Sequence, residues 1–470
     1  MFSRIDRRIT EKLGSIVGGN NIVTDKEQML DYAGDEYSLD EIRAFPEAVV
    51  RPASADEISQ IMKLCSQESI PVTPRGGGTG LCGGCVPVHG GVVITFERMN
   101  RVLEVDVNNL MAAAEPGVTL MEFYEAVEKQ GLFFPPHPGD ESATVGGVIS
   151  TNAGGARALK YGIVRNFIRG IEVVLPDGRI IKVGGKLMKN SSGYNLVHLL
   201  IGSEGTLGIV TKAFISLLAP PKVMHTLIVP YSDLHDAIRA VPKIIQSKIV
   251  PMSLEFIEID PIRVCEHALD KRWPCQEGDA HLMIIIDAAD EDEIMELAER
   301  IGEICLAENA IDVFIADNRE KQQTILDIRS HIYETLKPYS LELLDITVPM
   351  ADIARYVSEV HDLEADLDTW IPTYGHAADG NVHNHIMGSR WHEGEWSEIA
   401  NSGEKYKKIR DGIHELGRKY GGIVSGEHGI GLIKKEYLRD FIGQDQIDLM
   451  KSIKAAFDPK GILNPGKIFE

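Results

Sequence analysis

The sequence lacks the features that define several protein classes. No stretch reaches the roughly 18 apolar residues of a membrane-crossing helix, and the opening segment, residues 1–19, mixes charges and has no apolar core of a secretory signal. Only six of the 470 residues are cysteine, spread along the chain. We therefore expect a cytoplasmic protein in a reducing compartment, with no transmembrane segment.

Positive charge is also scarce. The formal net charge is −22, and such a surface would repel phosphate backbones, so nucleic acid is not an expected partner. Internal repeats and low-complexity segments are absent. A chain of 470 residues is too long for one hydrophobic core and predicts two or three domains.

The cysteines form no cluster motif. Cys82 and Cys85 are a lone C-x-x-C, whereas an iron–sulfur cluster or a structural zinc ion normally has four ligands. A redox dithiol needs a helix N-terminus to stabilise its thiolate, and Gly83, Gly84 and Pro87 do not provide one. We interpret both cysteines as small residues that fill a tight loop.

That loop, Pro74 to Pro87, is the most unusual segment of the chain because six of its first eleven residues are glycine. Glycine has no Cβ, so backbone amides can approach a ligand closely, and amides that share a hollow bind anions. Residues 78–83 match the Rossmann pattern G-x-G-x-x-G, but the following residues cannot form a helix, so that interpretation fails. A cradle for nucleotide phosphates is favoured over a flexible surface loop, which would carry more serine and asparagine.

Two further glycine-rich segments follow at 138–155 and 202–210. Helical periodicity with capping residues predicts helices that begin after Ser54 and Thr119, among several short strands. Three separated glycine segments within one α+β domain indicate a long ligand lying across that domain.

The glycine clusters end near 219–221, where we place a domain boundary. The predicted organisation is an N-terminal helical segment at 1–40, an α+β domain at 41–221, an α/β cap domain at 222–420 and a C-terminal segment at 421–470 that packs on the first domain.

Histidines concentrate in the segment 374–385. Asp379 and Gly380 stand between two extended runs and predict a two-residue hairpin turn. With that turn, His376 lies directly opposite His383 on one face of the hairpin. His385 would share this face by strand alternation.

A carboxylate that could join the two histidines is Glu427, which precedes His428 in a glycine-flanked turn at 426–431. Two histidines and a glutamate with open positions are typical of a catalytic zinc or manganese ion. Two hydrogen-bonded histidines without a metal remain the alternative. Taken alone, this set of residues would also suit a metallohydrolase.

These segments and the tail at 457–467 together resemble the FAD-linked D-2-hydroxy acid dehydrogenases, and the resemblance extends from about residue 40 to the end. It implies an α+β fold with a vanillyl-alcohol-oxidase-type (PCMH-type) FAD-binding domain, an α/β cap domain and a C-terminal segment that returns to the FAD-binding domain. It also implies a divalent metal, namely zinc, manganese or iron, at His376, His383 and Glu427. His428 would be the catalytic base.

The resemblance further assigns the FAD contacts and one substrate contact. The FAD-binding residues would be Pro74, Arg75, Gly76, Gly77, Gly78, Thr79, Gly80, Leu81, Pro138, Gly139, Ser142, Thr144, Gly147, Asn152, Gly154, Glu204, Gly205, Ile209, Val210 and Asn464. Arg329 would bind the substrate carboxylate, although on its own it would pass for an ordinary arginine on a helix surface. A bidentate guanidinium contact would aim the 2-hydroxy carbon at the flavin.

Two departures from the family bear on the substrate. Relatives that oxidise 2-hydroxyglutarate carry a lysine shortly before the segment 345–349, where this chain has Leu341, Glu342, Leu343 and Leu344, and His385 replaces a substrate-binding asparagine. We therefore expect a small monoacid, D-lactate first and glycolate second, with D-2-hydroxyglutarate less favoured.

Electrons must leave the reduced flavin for an outside acceptor, since the chain has no iron–sulfur motif. A protein acceptor, either an electron-transferring flavoprotein or an iron–sulfur subunit, suits this acidic chain better than a membrane quinone. A redox-neutral flavin enzyme of the same fold, such as an ether-lipid synthase, and a non-catalytic flavoprotein are the rival interpretations.

Overall fold

The computed structural model describes residues 2–37, 42–316 and 318–469. The strands, in chain order, are β1 (Ile22–Val23), β2 (Ala48–Val50), β3 (Val72–Arg75), β4 (Val92–Thr95), β5 (Val102–Asp106), β6 (Met111–Ala114), β7 (Ile168–Val174), β8 (Ile180–Gly184), β9 (Ile209–Ser216), β10 (Val223–Tyr231), β11 (Ser253–Glu258), β12 (Ala280–Ala288), β13 (Phe314–Ala316), β14 (Ser340–Thr347), β15 (Thr373–His376), β16 (Asn381–Met387), β17 (Ser389–His392) and β18 (Glu395–Glu398). The predicted boundary at residues 40 and 41 lies outside the described residues.

The α-helices are α1 (Arg7–Val17), α2 (Ala55–Glu68), α3 (Leu120–Glu128), α4 (Val145–Thr151), α5 (Ala158–Tyr161), α6 (Leu196–Leu200), α7 (Leu234–Gln246), α8 (Ile259–Leu269), α9 (Glu291–Ala307), α10 (Arg319–Ser330), α11 (Ile332–Leu336), α12 (Ile353–Asp366), α13 (Ser402–Lys419), α14 (Lys435–Ile442) and α15 (Gln444–Phe457). Across the described ranges, none of these helices has both the length and the apolar character needed to cross a membrane.

The chain folds into two compact units, and each is made from segments that are discontinuous in sequence. Unit 1 comprises Met1–Gly154, Ile163–Pro220 and Glu427–Glu470. Unit 2 comprises Gly155–Gly162 and Pro221–Gly426.

Unit 1 contains two sheets, one with strand order β1-β2-β4-β3 and one with order β5-β6-β9-β7-β8. Strands β2, β4 and β3 pair in parallel, and α2 connects β2 to β3. The cap predicted for α2 is present, because the Ser54 hydroxyl accepts a hydrogen bond from the Glu57 N–H at 3.2 Å. The C-terminal segment runs beside the start of β3, where the Asn464 N–H donates to the Val72 carbonyl at 2.7 Å.

Unit 2 is built on an antiparallel sheet of order β13-β10-β12-β11-β15-β16-β14. A hydrophobic core covers each face. Helices α7, α9, α12 and α13 contribute to one core, and α8, α10 and α11 contribute to the other. Because side chains alternate along a strand, Leu254 and Phe256 of β11 enter the first core, while Ile257 enters the second. Glu255 shares the face of Ile257.

A buried ion pair joins α13 to the sheet of unit 2. The Glu342 carboxylate, on β14, is 1% exposed. It accepts a hydrogen bond from Tyr406 Oη at 2.7 Å and forms an ion pair with Arg410, whose Nε lies 3.0 Å from Oε2. Removing one partner of a buried ion pair costs about 3–5 kcal/mol. We expect Glu342→Ala to lower the urea midpoint of unfolding accordingly, as followed by tryptophan fluorescence. Tyr406→Phe, which removes one hydrogen bond, should cost only about 1 kcal/mol, and equal midpoints for both variants would contradict this account.

Candidate active site

The first glycine-rich loop leaves β3 and passes close to the second glycine-rich segment. A Cβ atom at Gly76 would lie 2.5 Å from Thr144 Oγ1, and one at Gly77 would lie 3.0 Å from the carbonyl oxygen of Ser142. Gly78 has a φ of +80°, which favours glycine. Glycine is therefore required where the loop meets the residues predicted with it.

The loop also presents consecutive amides. Within the described ranges, the N–H groups of residues 77–80 donate to no protein acceptor. Unpaired amides in a glycine-rich backbone are the donor set of an anion-binding hollow. An FAD pyrophosphate fits these residues on that ground.

Several other residues of the predicted FAD site lie near the loop within unit 1. Thr144 begins α4 and its hydroxyl accepts a hydrogen bond from the Gly147 N–H at 3.3 Å. A Cβ atom at Gly205 would lie 2.7 Å from Pro74 Cγ. Asn464 Nδ2 donates to the carbonyl oxygen of Glu204 at 2.8 Å. The first and third glycine segments therefore meet beside the C-terminal tail.

Three other residues of the predicted FAD site are Asn152, Ile209 and Gly139. Asn152 ends α4 in a left-handed conformation, and its side-chain oxygen accepts a hydrogen bond from the Arg165 N–H at 3.2 Å. Ile209 packs into the core of unit 1. A Cβ atom at Gly139 would face open space, so no steric contact requires glycine at that position.

The Arg75 side chain and the two cysteine thiols of the loop are held within the protein. Arg75 Nη1 donates to the carbonyl oxygen of Gly34 and to Cys85 Sγ at 3.1 Å. Burial raises the pKa of the Cys85 thiol to about 11 and that of Cys82 well above its usual value. Both thiols stay protonated, which supports their interpretation as packing residues of a tight loop.

The histidine hairpin forms, but its predicted register is wrong by two residues. His376 lies opposite Asn381, and His383 lies opposite Tyr374. The turn spans residues 377–380, and the Val348 N–H donates to the carbonyl oxygen of Gly380 at 3.0 Å. Because a shift of two preserves the face of every side chain, the rings of His376 and His383 still meet, with centroids 5.4 Å apart.

A buried carboxylate orients His376. Glu255 Oε1 lies 2.6 Å from His376 Nδ1, and Glu255 Oε2 accepts a hydrogen bond from Arg329 Nη2 at 2.6 Å. Burial alone would raise the pKa of Glu255, but the charges and hydrogen bonds of His376 and Arg329 lower it to about 2. Since an ionised carboxylate only accepts, the contact with Glu255 places a proton on His376 Nδ1, and Nε2 is the nitrogen that the neutral imidazole would offer to a metal ion.

Arg329 and His385 both contact Tyr374, on the same face of the sheet. The Arg329 guanidinium lies 4.9 Å from the centre of the Tyr374 ring. The Tyr374 hydroxyl is 3.2 Å from His385 Nε2. The residue predicted to hold the substrate carboxylate is therefore fixed by Glu255 and Tyr374 beside the histidine pair.

Asp345 is a second buried carboxylate on this face, directly opposite His383 in the sheet. It accepts hydrogen bonds from Asn381 Nδ2 at 2.6 Å and from Ser425 Oγ at 2.7 Å. Its carbonyl oxygen accepts the N–H of Gly426 at 3.2 Å. The last residues of unit 2 are thus anchored beside His383, and Glu427 is the next residue in the chain.

Glu427 and His428 belong to unit 1. Glu427 Oε1 is 3.9 Å from His428 Nε2. A Cβ atom at Gly154 would lie 2.7 Å from Glu427 Oε2, which explains the glycine at that position. The glutamate predicted to bind a metal and a glycine predicted to line the flavin are therefore neighbours.

Two family models cover most of this chain. Residues 46–184 match the FAD binding domain, and residues 220–468 match the C-terminal domain of FAD linked oxidases. The chain belongs to the FAD-linked oxidases. The predicted family, its FAD cofactor and its α+β fold with a PCMH-type FAD-binding domain are thereby confirmed.

Curated relatives of this FAD-linked oxidase match over nearly its whole length. A D-lactate dehydrogenase of Archaeoglobus fulgidus is 45% identical over 89% of this chain and 90% of its own. A D-lactate dehydrogenase of Anaerostipes hadrus is 37% identical over 99% of this chain and 98% of its own. The glycolate oxidase subunit GlcD of Bacillus subtilis is 38% identical over 99% of this chain and 97% of its own.

Solved structures share the fold. p-Cresol methylhydroxylase matches with a TM-score of 0.80 and 16% identity, over 98% of this chain and 96% of its own. The 4-ethylphenol oxidase of Gulosibacter chungangensis matches with a TM-score of 0.78 and 19% identity, over the same shares of the two chains.

Sequence reasoning missed Glu255, Asp345 and Asn381. The available signal was a charged or amide residue inside a strand whose neighbours are apolar, as Glu255 is between Leu254 and Phe256. Such residues are buried only with partners, but the sequence does not show which partners.

The glycine contacts lead to a prediction about FAD binding. Gly76→Ala places a Cβ atom 2.5 Å from Thr144 Oγ1, so we expect this variant to purify with less FAD than the wild type, as measured by flavin absorbance per mole of protein. Gly84→Ala is a matched control in the same loop, because a Cβ there meets its nearest atom at 3.9 Å. Equal FAD content in the two variants would count against the cradle.

Proposed function

We propose that this FAD-linked oxidase oxidises D-lactate to pyruvate and passes the electrons from FAD to a separate protein. The observation that carries the proposal is the hydrogen-bonded set of Glu255, His376 and Arg329 beside His383, in a chain whose relatives include two proteins named D-lactate dehydrogenase. Glycolate is the second candidate substrate, because a relative of 38% identity is named a glycolate oxidase subunit.

The proposed metal ligands are His376, His383 and Glu427. In support, Glu255 fixes the protonated nitrogen of His376, an arrangement common among metal-binding histidines. Glu427 directly follows Gly426, whose N–H is bonded to the Asp345 carbonyl opposite His383. Two imidazoles and a carboxylate suit zinc, manganese or iron(II).

Bound FAD would supply the hydride acceptor for the 2-hydroxy carbon, and a divalent cation held by His376, His383 and Glu427 would lower the pKa of the substrate hydroxyl. The chain supplies position and charge. We assign to Nε2 of His428 the removal of the hydroxyl proton, with the Glu427 carboxylate 3.9 Å away to stabilise the resulting imidazolium. Arg329 carries a planar guanidinium fork that matches the geometry of a carboxylate. Glu255 and Tyr374 hold this group beside His376, so we assign the substrate carboxylate to it.

A small monoacid is supported by the residues next to the histidine pair. On β14, Leu343 lies directly opposite His385, so an apolar side chain occupies the position where a diacid substrate would need a cation. A second carboxylate placed there would be desolvated beside leucine, which is unfavourable. D-2-Hydroxyglutarate remains the less favoured alternative, supported by a relative from Stutzerimonas stutzeri that is 29% identical and is named D-2-hydroxyglutarate dehydrogenase.

The proposed electron acceptor is an electron-transferring flavoprotein or an iron–sulfur subunit. The net charge of −22 favours a partner with a basic surface, because opposite charges steer association. Rapid reduction of a soluble quinone by the substrate-reduced enzyme, with no reduction of either protein acceptor, would contradict this assignment.

The metal proposal predicts the behaviour of two variants. His383→Ala should lose the bound divalent ion while keeping its FAD, as measured by plasma mass spectrometry and flavin absorbance. Glu255→Gln should weaken metal affinity by about 10- to 100-fold, because the neutral amide no longer gives His376 Nδ1 the charged acceptor that orients the ring. His361→Ala, in the half-exposed part of α12, is the control. Wild-type metal content in His383→Ala would refute the assignment.

The catalytic proposal predicts how the flavin responds to substrate. D-Lactate, but not L-lactate, should bleach the flavin anaerobically, and His428→Ala should slow bleaching by about 10²- to 10⁴-fold with FAD still bound. His198→Ala, on a short helix of the same unit, is the matched control. Absence of bleaching by any 2-hydroxy acid would instead favour a redox-neutral flavin enzyme.

A further inference from the structure

The segment that follows His428 is held by two residues. Four consecutive backbone amides, those of residues 430–433, donate to either Glu204 or Cys82. The distances are 2.8 and 2.7 Å to the two carboxylate oxygens of Glu204, then 2.8 and 3.3 Å to the carbonyl oxygen of Cys82, for Ile430, Gly431, Leu432 and Ile433 in that order. Glu204 and Cys82 therefore define the path of the chain after His428.

Cys82 also reaches His428 directly. Its thiol lies 3.1 Å from the carbonyl oxygen of His428 and donates to it. The thiol keeps its proton because burial raises its pKa. The backbone of His428 is thereby fixed by the same residue that accepts the amides of residues 432 and 433.

The two glycines after His428 are required by these contacts. Gly429 has a φ of +87°, and a Cβ atom there would lie 3.1 Å from Glu204 Oε1. Gly431 has a φ of +52°, and a Cβ atom there would lie 2.0 Å from the carbonyl oxygen of Cys82. Side chains at these positions would push the segment away from both anchors.

Glu204 combines two unfavourable features. It is buried at 7% exposure, and its φ of +50° is left-handed, which is rare for a residue with a side chain. Its own N–H donates to the Ser150 carbonyl at 2.8 Å, and its carbonyl accepts from Asn464. A strained and buried charged residue that is held on both sides points to a functional role.

We propose that Glu204 and Cys82 are positioning residues for His428. The inference rests on the proposed role of His428 as the proton acceptor and deepens it. By holding the backbone on both sides of Gly429, the two residues fix the direction in which the imidazole points. Ser150 lies in α4, so Glu204 also ties this segment to a helix that carries residues of the FAD site.

Glu204→Gln tests the proposal at constant volume. Each carboxylate oxygen of Glu204 accepts one backbone N–H. In glutamine one of these oxygens becomes an NH₂ group, so one hydrogen bond is replaced by a repulsive contact between two donors. Because a displacement of about 1 Å costs roughly 100-fold in rate, we expect kcat for D-lactate, measured per mole of bound FAD, to fall by about 10- to 100-fold with KM unchanged. Amide hydrogen exchange in residues 429–433 should accelerate at least about tenfold in the absence of substrate.

Matched variants separate positioning from stability. Glu115→Gln changes another buried glutamate of unit 1 that accepts a backbone amide, from Arg101 at 2.9 Å, and should alter neither readout. Cys82→Ser keeps a donor to His428 and should lose less activity than Cys82→Ala. If Glu204→Gln does not fold, Glu204→Asp keeps the charge on a shorter side chain. It should also lower kcat and accelerate amide exchange in residues 429–433, each by a smaller factor.

The decisive measurement is the double variant Glu204→Gln/His428→Ala. If Glu204 acts through His428, the double variant bleaches no more slowly than His428→Ala alone. Losses that multiply, or normal turnover and exchange in Glu204→Gln, would overturn the positioning role. Full activity of His428→Ala would instead overturn the proposed function, so the two failures are distinguishable.

Discussion

A carboxylate inside a protein is stable only where donors replace the water that it loses, and Glu255 shows how this requirement shapes unit 2. Its two oxygens are bonded to groups from different elements, Arg329 at the end of α10 and His376 at the end of β15. The carboxylate therefore holds a helix against the sheet and also fixes the proton of His376. Packing and site chemistry depend on the same group.

Unit 1 meets the same requirement with backbone amides, to which the charges of Lys434 and Lys467 add. Glu204 accepts the amides of Ile430 and Gly431, which carry only partial positive charge. Burial raises the pKa of Glu204, whereas His376 and Arg329 lower the pKa of Glu255 to about 2. The two carboxylates differ in their donors: charged side chains are bonded to Glu255, whereas backbone amides are bonded to Glu204 and so define the path of a loop.

How far the sequence could predict this site depends on the kind of constraint. A glycine at Gly76 or Gly78 is demanded by local steric contacts and appears directly as composition, so the close backbone approach in this loop was predictable. The face of His376 and His383 was also predictable, because strand alternation survives a register shift of two. The role of Glu255 was not predictable. Its partners His376 and Arg329 lie 121 and 74 residues away in the sequence, and an acidic residue in an apolar strand does not indicate which residues bind it.

The fold and the chemistry are therefore encoded differently. p-Cresol methylhydroxylase shares the fold at 16% identity, which shows that this architecture tolerates replacement of most side chains. The candidate chemistry of unit 2 lies in the side chains on one face of β11, β15, β16 and β14, where Leu343 is opposite His385 and Asp345 is opposite His383. Because a slip of one residue would turn that whole set away from the face, strand register determines which groups a substrate can meet.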